Sequence, residues 1–240
     1  MSISKIEWTE KTWNPITGCS KVSEGCLHCY AETMAKRLKA MGNPKYANGF
    51  VPTLHEESLN EPKMWNKSST VFVCSMSDLF HDSVPYTFID RIMETIRETP
   101  QHKYQVLSKR PERMSDYFEE RLVPQNAWIG VTIENKNVLH RIDILRTINA
   151  PLRFLSCEPL LGDLGILDLN GIGWVIVGGE SGVQARQMKK TWIQNIKRQC
   201  DAQNIPFFFK QWGTWGEDGI KRTKKANGNM IDGIRIQKLP

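Results

Sequence analysis

Residues 128–135 read WIGVTIEN: an apolar run, Trp128 to Thr132, then Ile133 and two polar groups, Glu134 and Asn135. The same grammar recurs along the chain. Runs at Thr70 to Cys74 (TVFVC), Tyr104 to Leu107 (YQVL), Arg153 to Ser156 (RFLS), Trp174 to Val177 (WVIV) and Pro206 to Phe209 (PFFF) are likewise followed by hydrogen-bonding or ionisable residues. Almost wholly apolar rather than alternating, they predict strands buried on both faces. Between them, apolar residues recur at helical spacing. Phe88, Ile89, Ile92, Met93 and Ile96 make one stripe, and Val138, Leu139, Ile142, Leu145 and Ile148 another. A third helix is expected to open with Thr191 and Gln194 in capping-box spacing, and a shorter one to follow Pro111.

This alternation predicts an α/β chain with a parallel sheet, either a (β/α) barrel or an open doubly wound sheet. The residues at the ends of the runs favour the barrel. The runs lead into Ser75, Ser77 and Asp78; Ser108, Lys109 and Arg110; Glu134; Glu158; Gly178, Gly179 and Glu180; and Lys210, Gln211 and Trp212. A partial (β/α) barrel of about six to seven parallel strands would carry all these groups to one rim. Trp13 to Thr17 is the expected first strand and Tyr30 to Met41 the first helix. Residues 43–69, interrupted by Pro44, Pro52 and Pro62, read as an irregular excursion within one barrel domain, 1–212. Residues 213–240 form a basic C-terminal extension, in which Asn227-Gly228 marks a small hairpin or a tail.

With 240 residues, 40% hydrophobic and 24% charged, the chain excludes a disordered or coiled-coil class. No apolar run approaches the roughly 20 residues of a membrane span, and the opening MSISKIEWTEKTW lacks a secretory layout. A cytoplasmic protein without membrane contact is expected. The net charge of +6 is concentrated at the end: Lys221, Arg222, Lys224, Lys225, Arg235 and Lys238 face Asp232 alone, leaving the body near neutrality. Such a segment is either a phosphate-binding footprint or a solvated tail.

Three of the six cysteines crowd together as Cys19-x6-Cys26-x2-Cys29, between the expected first strand and first helix. In a cytosolic chain this grouping favours metal binding over disulfides. Three thiolates can hold three irons of a 4Fe-4S cluster and leave the fourth open to a ligand. Zinc is the rival, with His28 or His81 as a fourth donor. Cys74, Cys157 and Cys200 sit in apolar contexts and read as buried small hydrophobes.

A three-cysteine loop ending Cys29-Tyr30 after the first strand resembles radical S-adenosylmethionine enzymes, and CLHCY is similar to the wording in spore photoproduct lyase. Across TWNPITGC, GCLHCYAE, VFVCSMSDLFHD, QVLSKRPERM, IGVTIEN, RFLSCEPLLG, WVIVGGESG and PFFFKQWG the chain resembles a phage- and prophage-associated radical-SAM-like family of uncertain function. The usual spacing in such enzymes is Cys-x3-Cys-x2-Cys; here six residues separate the first pair. The resemblance implies a 4Fe-4S cluster whose open iron is chelated by S-adenosylmethionine, an electron donor protein, and a 5′-deoxyadenosyl radical that takes hydrogen from a substrate.

On this reading Cys19, Cys26 and Cys29 are the metal ligands. Candidate cofactor contacts are His28, Ser75, Ser77, Asp78, Lys109, Glu134, Gly178, Gly179 and Glu180. Candidate substrate contacts are Arg110, Glu158, Arg186, Lys210, Gln211 and Trp212. No residue is singled out as catalytic. Glu134 and Glu158 read equally well as structural partners of Lys109 or Arg110. The leading expectation is an enzyme that repairs or modifies a nucleic acid or nucleotide. The alternatives are a non-catalytic nucleic-acid-binding protein with a structural iron–sulfur or zinc site, and a radical enzyme for a small metabolite or a protein.

Overall fold

The computed structural model describes Ser4 and residues 6–240. Strand β1 (Lys11–Trp13) is followed by two-residue strands β2 (Ile16–Thr17) and β3 (Thr53–Leu54), which pair antiparallel with each other. Then come β4 (Thr70–Val73), β5 (Lys103–Ser108), β6 (Ala127–Thr132), β7 (Leu152–Cys157), β8 (Trp174–Gly178) and β9 (Phe207–Gln211), with β10 (Met230–Ile231) and β11 (Ile234–Arg235) closing the chain. The helices are α1 (Tyr30–Ala40), α2 (Tyr86–Glu98), α3 (Pro111–Glu119), α4 (His140–Thr147), α5 (Lys190–Ala202) and the single turn α6 (Lys224–Asn227).

Seven strands form one parallel sheet in the order β1-β4-β5-β6-β7-β8-β9. A doubly wound sheet reverses its strand order at a switch point. Here the strands of this sheet follow one another in chain order, β2 and β3 aside, so right-handed crossovers put the helices on one face and leave the other facing inward. The result is a partial (β/α) barrel.

Side-chain burial follows the strand period of two. Val71, Val73, Tyr104, Val106, Ile129, Val131, Leu155, Val175, Val177, Phe207 and Phe209 join one core with residues of the four main crossover helices, such as Ile89, Met114, Leu145 and Ile193. The alternate residues Phe72, Phe154, Trp174, Ile176 and Phe208 form a second cluster with Trp8 on the inner face. Gly130 is required there, because a Cβ would lie 2.6 Å from the Phe154 ring. Burial of both faces explains the unbroken apolar runs.

Three local expectations are corrected. The expected strand Trp13–Thr17 is split: its first part lies in β1, whereas Ile16 and Thr17 leave the sheet to pair with β3. Helix α5 begins at Lys190 without a side-chain cap, so Thr191 and Gln194 form no capping box. The terminal hairpin turns at Asp232-Gly233, where both residues have positive φ, while Asn227 ends α6 and Gly228 follows it. Beyond the hairpin, residues 236–238 run along β9: Phe209 N–H donates to the Ile236 carbonyl at 2.7 Å and Lys238 N–H to that of Phe207 at 3.1 Å. An otherwise open sheet edge is thereby covered.

Candidate functional site

The strand ends open into a cavity of about 490 Å³ above the inner cluster. Its walls carry all three cysteines of the loop, together with Trp8, Phe72 and Leu107 from the apolar side. Each of the three is partly exposed and unpaired, whereas Cys74, Cys157 and Cys200 are buried.

The long arm between Cys19 and Cys26 is riveted to the sheet. Gly18 bridges to Ser77, whose hydroxyl donates to the Gly18 carbonyl at 2.6 Å, and Cys19 N–H donates to the Phe50 carbonyl at 3.0 Å. Gly18 has φ +83° and a Cβ there would strike the Val51 carbonyl oxygen at 2.3 Å, so only glycine fits. Arg110, at the start of α3, donates to Ser20 Oγ at 2.8 Å and approaches Cys19 Sγ at 3.6 Å. Asp78 orients that guanidinium at 3.3 Å while accepting from Ser108 Oγ and Lys109 N–H. Burial, reinforced by Asp78, pushes the Cys19 thiol up against the opposing pull of Arg110.

Two buried carboxylates hold the other end of the loop. Glu134, fully buried, pairs with Arg141 at 3.0 Å and accepts from Gly25 N–H at 3.3 Å. Glu180 receives a two-pronged contact from Arg186, at 2.6 and 2.9 Å, and lies 3.3 Å from His28 Nδ1. Arg186 also donates to the Glu24 carbonyl at 3.0 Å. Although burial raises the Glu180 carboxyl, the hydrogen bonds from Arg186 and His28 bring it below the usual carboxylate range.

Most of the sequence-selected residues therefore meet at one place, in different capacities. His28, Ser75, Ser77, Asp78, Lys109, Arg110, Glu158, Gly179, Glu180, Lys210 and Gln211 line the cavity. Glu134, Gly178, Arg186 and Trp212 do not: Glu134 and Arg186 brace the loop from behind, and Gly178 accommodates Glu158 Oε1, which a Cβ would approach to 2.4 Å. Trp212 is buried against Phe209, with its indole N–H on the Met230 carbonyl. Glu134 pairs with Arg141, and Glu158 contacts Lys210 at 3.2 Å, so neither pairs with Lys109 or Arg110. His81, the alternative zinc donor, is bonded to Ser20 Oγ and Ser83 Oγ.

Sequence reasoning missed Trp8, whose indole N–H donates to Glu158 Oε2 at 3.2 Å, and Thr132, a strand-end residue that lines the cavity. It also missed Tyr30, whose hydroxyl donates to the Ser75 carbonyl at 2.6 Å. Only Thr132 carried a signal: its alternation with Trp128 and Gly130 on the inner face.

The donor set fits a thiolate-bound cluster. Among the described residues no three His, Cys, Asp or Glu side chains converge as they would on a single ion. A cubane takes one cysteine per iron, and Cys19, Cys26 and Cys29 all line the cavity in which it would sit. No helix among the described residues is long and apolar enough to cross a membrane.

No curated protein matches the chain. Among solved structures, spore photoproduct lyase complexed with dinucleoside spore photoproduct is 11% identical with TM-score 0.46. A variant of that enzyme with bound AdoMet and dinucleoside spore photoproduct is 12% identical with TM-score 0.42. In both cases the match covers 82% of this chain and 62% of the other, so the chain spans less than two thirds of these lyases. The family model for proteins of unknown function DUF5131 matches residues 3–240, and the chain belongs to that family.

Proposed function

We infer that the protein is a radical S-adenosylmethionine enzyme acting on a nucleic acid or nucleotide. The observation that carries this is that Cys19, Cys26 and Cys29 all line the strand-end cavity. When bound, a reduced 4Fe-4S cluster and S-adenosylmethionine supply a 5′-deoxyadenosyl radical. Arg110 and Asp78 hold the Cys19 arm, Glu134 and Arg186 hold the turn before Cys26, and Trp8, Phe72 and Leu107 keep one side dry. His28, Ser75, Lys109 and Gly179 border the space that the cofactor would fill, with Glu180 fixed by Arg186 among them. Lys109 at the cavity supports a phosphate-bearing substrate; Lys224, also at the cavity, is already 2.7 Å from Glu7, and Arg222 of the basic extension is 2.6 Å from Asp218.

The test is iron and sulfide content per chain after anaerobic isolation, followed by addition of S-adenosylmethionine and a reductant. About four irons and release of 5′-deoxyadenosine are expected. One tightly bound zinc and no cleavage would instead establish the structural-metal reading.

A further inference from the structure

Four buried polar atoms without a hydrogen-bond partner among the described residues belong to residues of the same cavity wall: Arg110 Nε, Thr132 Oγ1, Glu158 Oε1 and Gln211 Oε1. A buried polar atom left unpaired costs about 1–3 kcal/mol, so this concentration calls for a ligand. Arg110 belongs to the cysteine arm. The other three come from the ends of β6, β7 and β9.

Their placement follows from a bulge. Val177 pairs with Phe209 but Gly178 pairs with Gln211, which leaves Lys210 as the extra residue of β9. Strand alternation would send Lys210 and Gln211 to opposite faces; here both reach the cavity. Gln211 Nε2 is committed to the Gly179 carbonyl at 2.8 Å, so its Oε1 is presented as an acceptor. Glu158 Oε1 lies against Gly178. The two acceptors thus flank one Gly-Gly step. Glu158 Oε2 is already taken by Trp8 Nε1 and Ser156 Oγ, leaving one free acceptor on that carboxylate. Lys210 Nζ, 3.2 Å from Glu158 Oε1 but not aligned to hydrogen-bond it, and the Thr132 hydroxyl supply donors beside them.

Two acceptors next to a donor require a ligand edge with two adjacent donors next to an acceptor. Among the standard bases only guanine has this pattern, as its exocyclic amine, ring N1–H and O6; adenine, cytosine and thymine each present a single donor position on that edge. A guanidinium cation also offers two parallel N–H groups, but it carries no acceptor for the Lys210 and Thr132 donors, and Lys109 at the same cavity attracts phosphate instead. We propose that Glu158 and Gln211, with Thr132 and Lys210 beside them, form a pocket that reads the edge of a guanine base in a nucleotide or nucleic acid. This deepens the function inferred above and rests on it for the substrate class.

The test is calorimetric titration of the anaerobically isolated full chain, without S-adenosylmethionine, against dGMP, dIMP, dAMP, dCMP, dTMP, deoxyribose 5-phosphate and N-acetylargininamide. dGMP should bind about ten-fold tighter than dAMP, and dIMP, which lacks the exocyclic amine, should fall to the dAMP level. Gln211→Met should narrow the dGMP preference to about two-fold without weakening dAMP. Should that variant fail to fold, the dGMP-to-dIMP ratio on the unaltered chain decides alone. Equal binding of dIMP and dGMP, tightest binding of another base, equal binding of the base-free phosphate, or preferential binding of the arginine derivative would each overturn the pocket. Cleavage of S-adenosylmethionine is scored separately: cleavage without guanine preference removes this pocket and keeps the function, and guanine preference without cleavage does the reverse.

Discussion

Replacing Glu134 by Ala separates the two tasks of this carboxylate. In the native fold it is fully buried, 3.0 Å from Arg141, and it accepts the Gly25 N–H of the cysteine loop. Removing one partner of a buried ion pair typically costs about 3–5 kcal/mol, because the remaining charge is stranded away from water. Arg141 would keep the Thr132 carbonyl at 2.8 Å, which places the expected loss near the lower bound, about 3 kcal/mol. For a domain of this size that is a fall in Tm of roughly 6–12 °C. Replacing both residues by Met removes the stranded charge and should recover stability to within about 1 kcal/mol. The double variant should nevertheless hold less iron after anaerobic isolation, because Gly25 has still lost its acceptor. Urea unfolding followed by circular dichroism, with metal content matched, reads the first effect, and iron analysis reads the second. A single substitution costing under about 1 kcal/mol, or a double variant no more stable than the single, would refute the reasoning.

Cys26→Ala should abolish iron retention while leaving the far-ultraviolet spectrum unchanged, since the sheet core lies outside the loop; global unfolding would point to a structural metal instead. Glu180 has a folded pKa below its unfolded value, so its contribution is present above the ordinary carboxylate value of 4.5 and is lost as pH falls through the depressed one. Arg186→Met should therefore flatten the acid limb of the stability profile below pH 4.5, measured by urea midpoints across pH. Gly179→Ala would bring a Cβ within 2.0 Å of the Trp212 carbonyl oxygen; a loss of about 1–3 kcal/mol is expected in the same assay, with weakened ligand binding at the neighbouring Gln211.

The cysteine loop, the strand runs and the stripes of α2 and α4 were legible because each is carried by spacing within a few turns of chain. The distinction between residues that face the cavity and residues that brace it was not. Glu134 and Glu158 look alike in sequence, each two residues beyond an inward-facing Thr132 or Ser156. One is fully buried against Arg141 and the other contacts Lys210 at the cavity, a difference set by which cation packs nearby. Trp8 was invisible for the same reason: its partner Glu158 is 150 positions away.

By itself, the order of residues determined that strands and helices alternate, that the strands are buried on both faces, and that three thiols share one loop; these are matters of local periodicity and spacing. Only the tertiary structure decided which strand-end groups share the bowl, that a one-residue bulge turns Lys210 and Gln211 to the same side, and that the extension covers β9. Those outcomes depend on pairing register and on contacts between distant segments, where a shift of one residue exchanges the two faces of a strand.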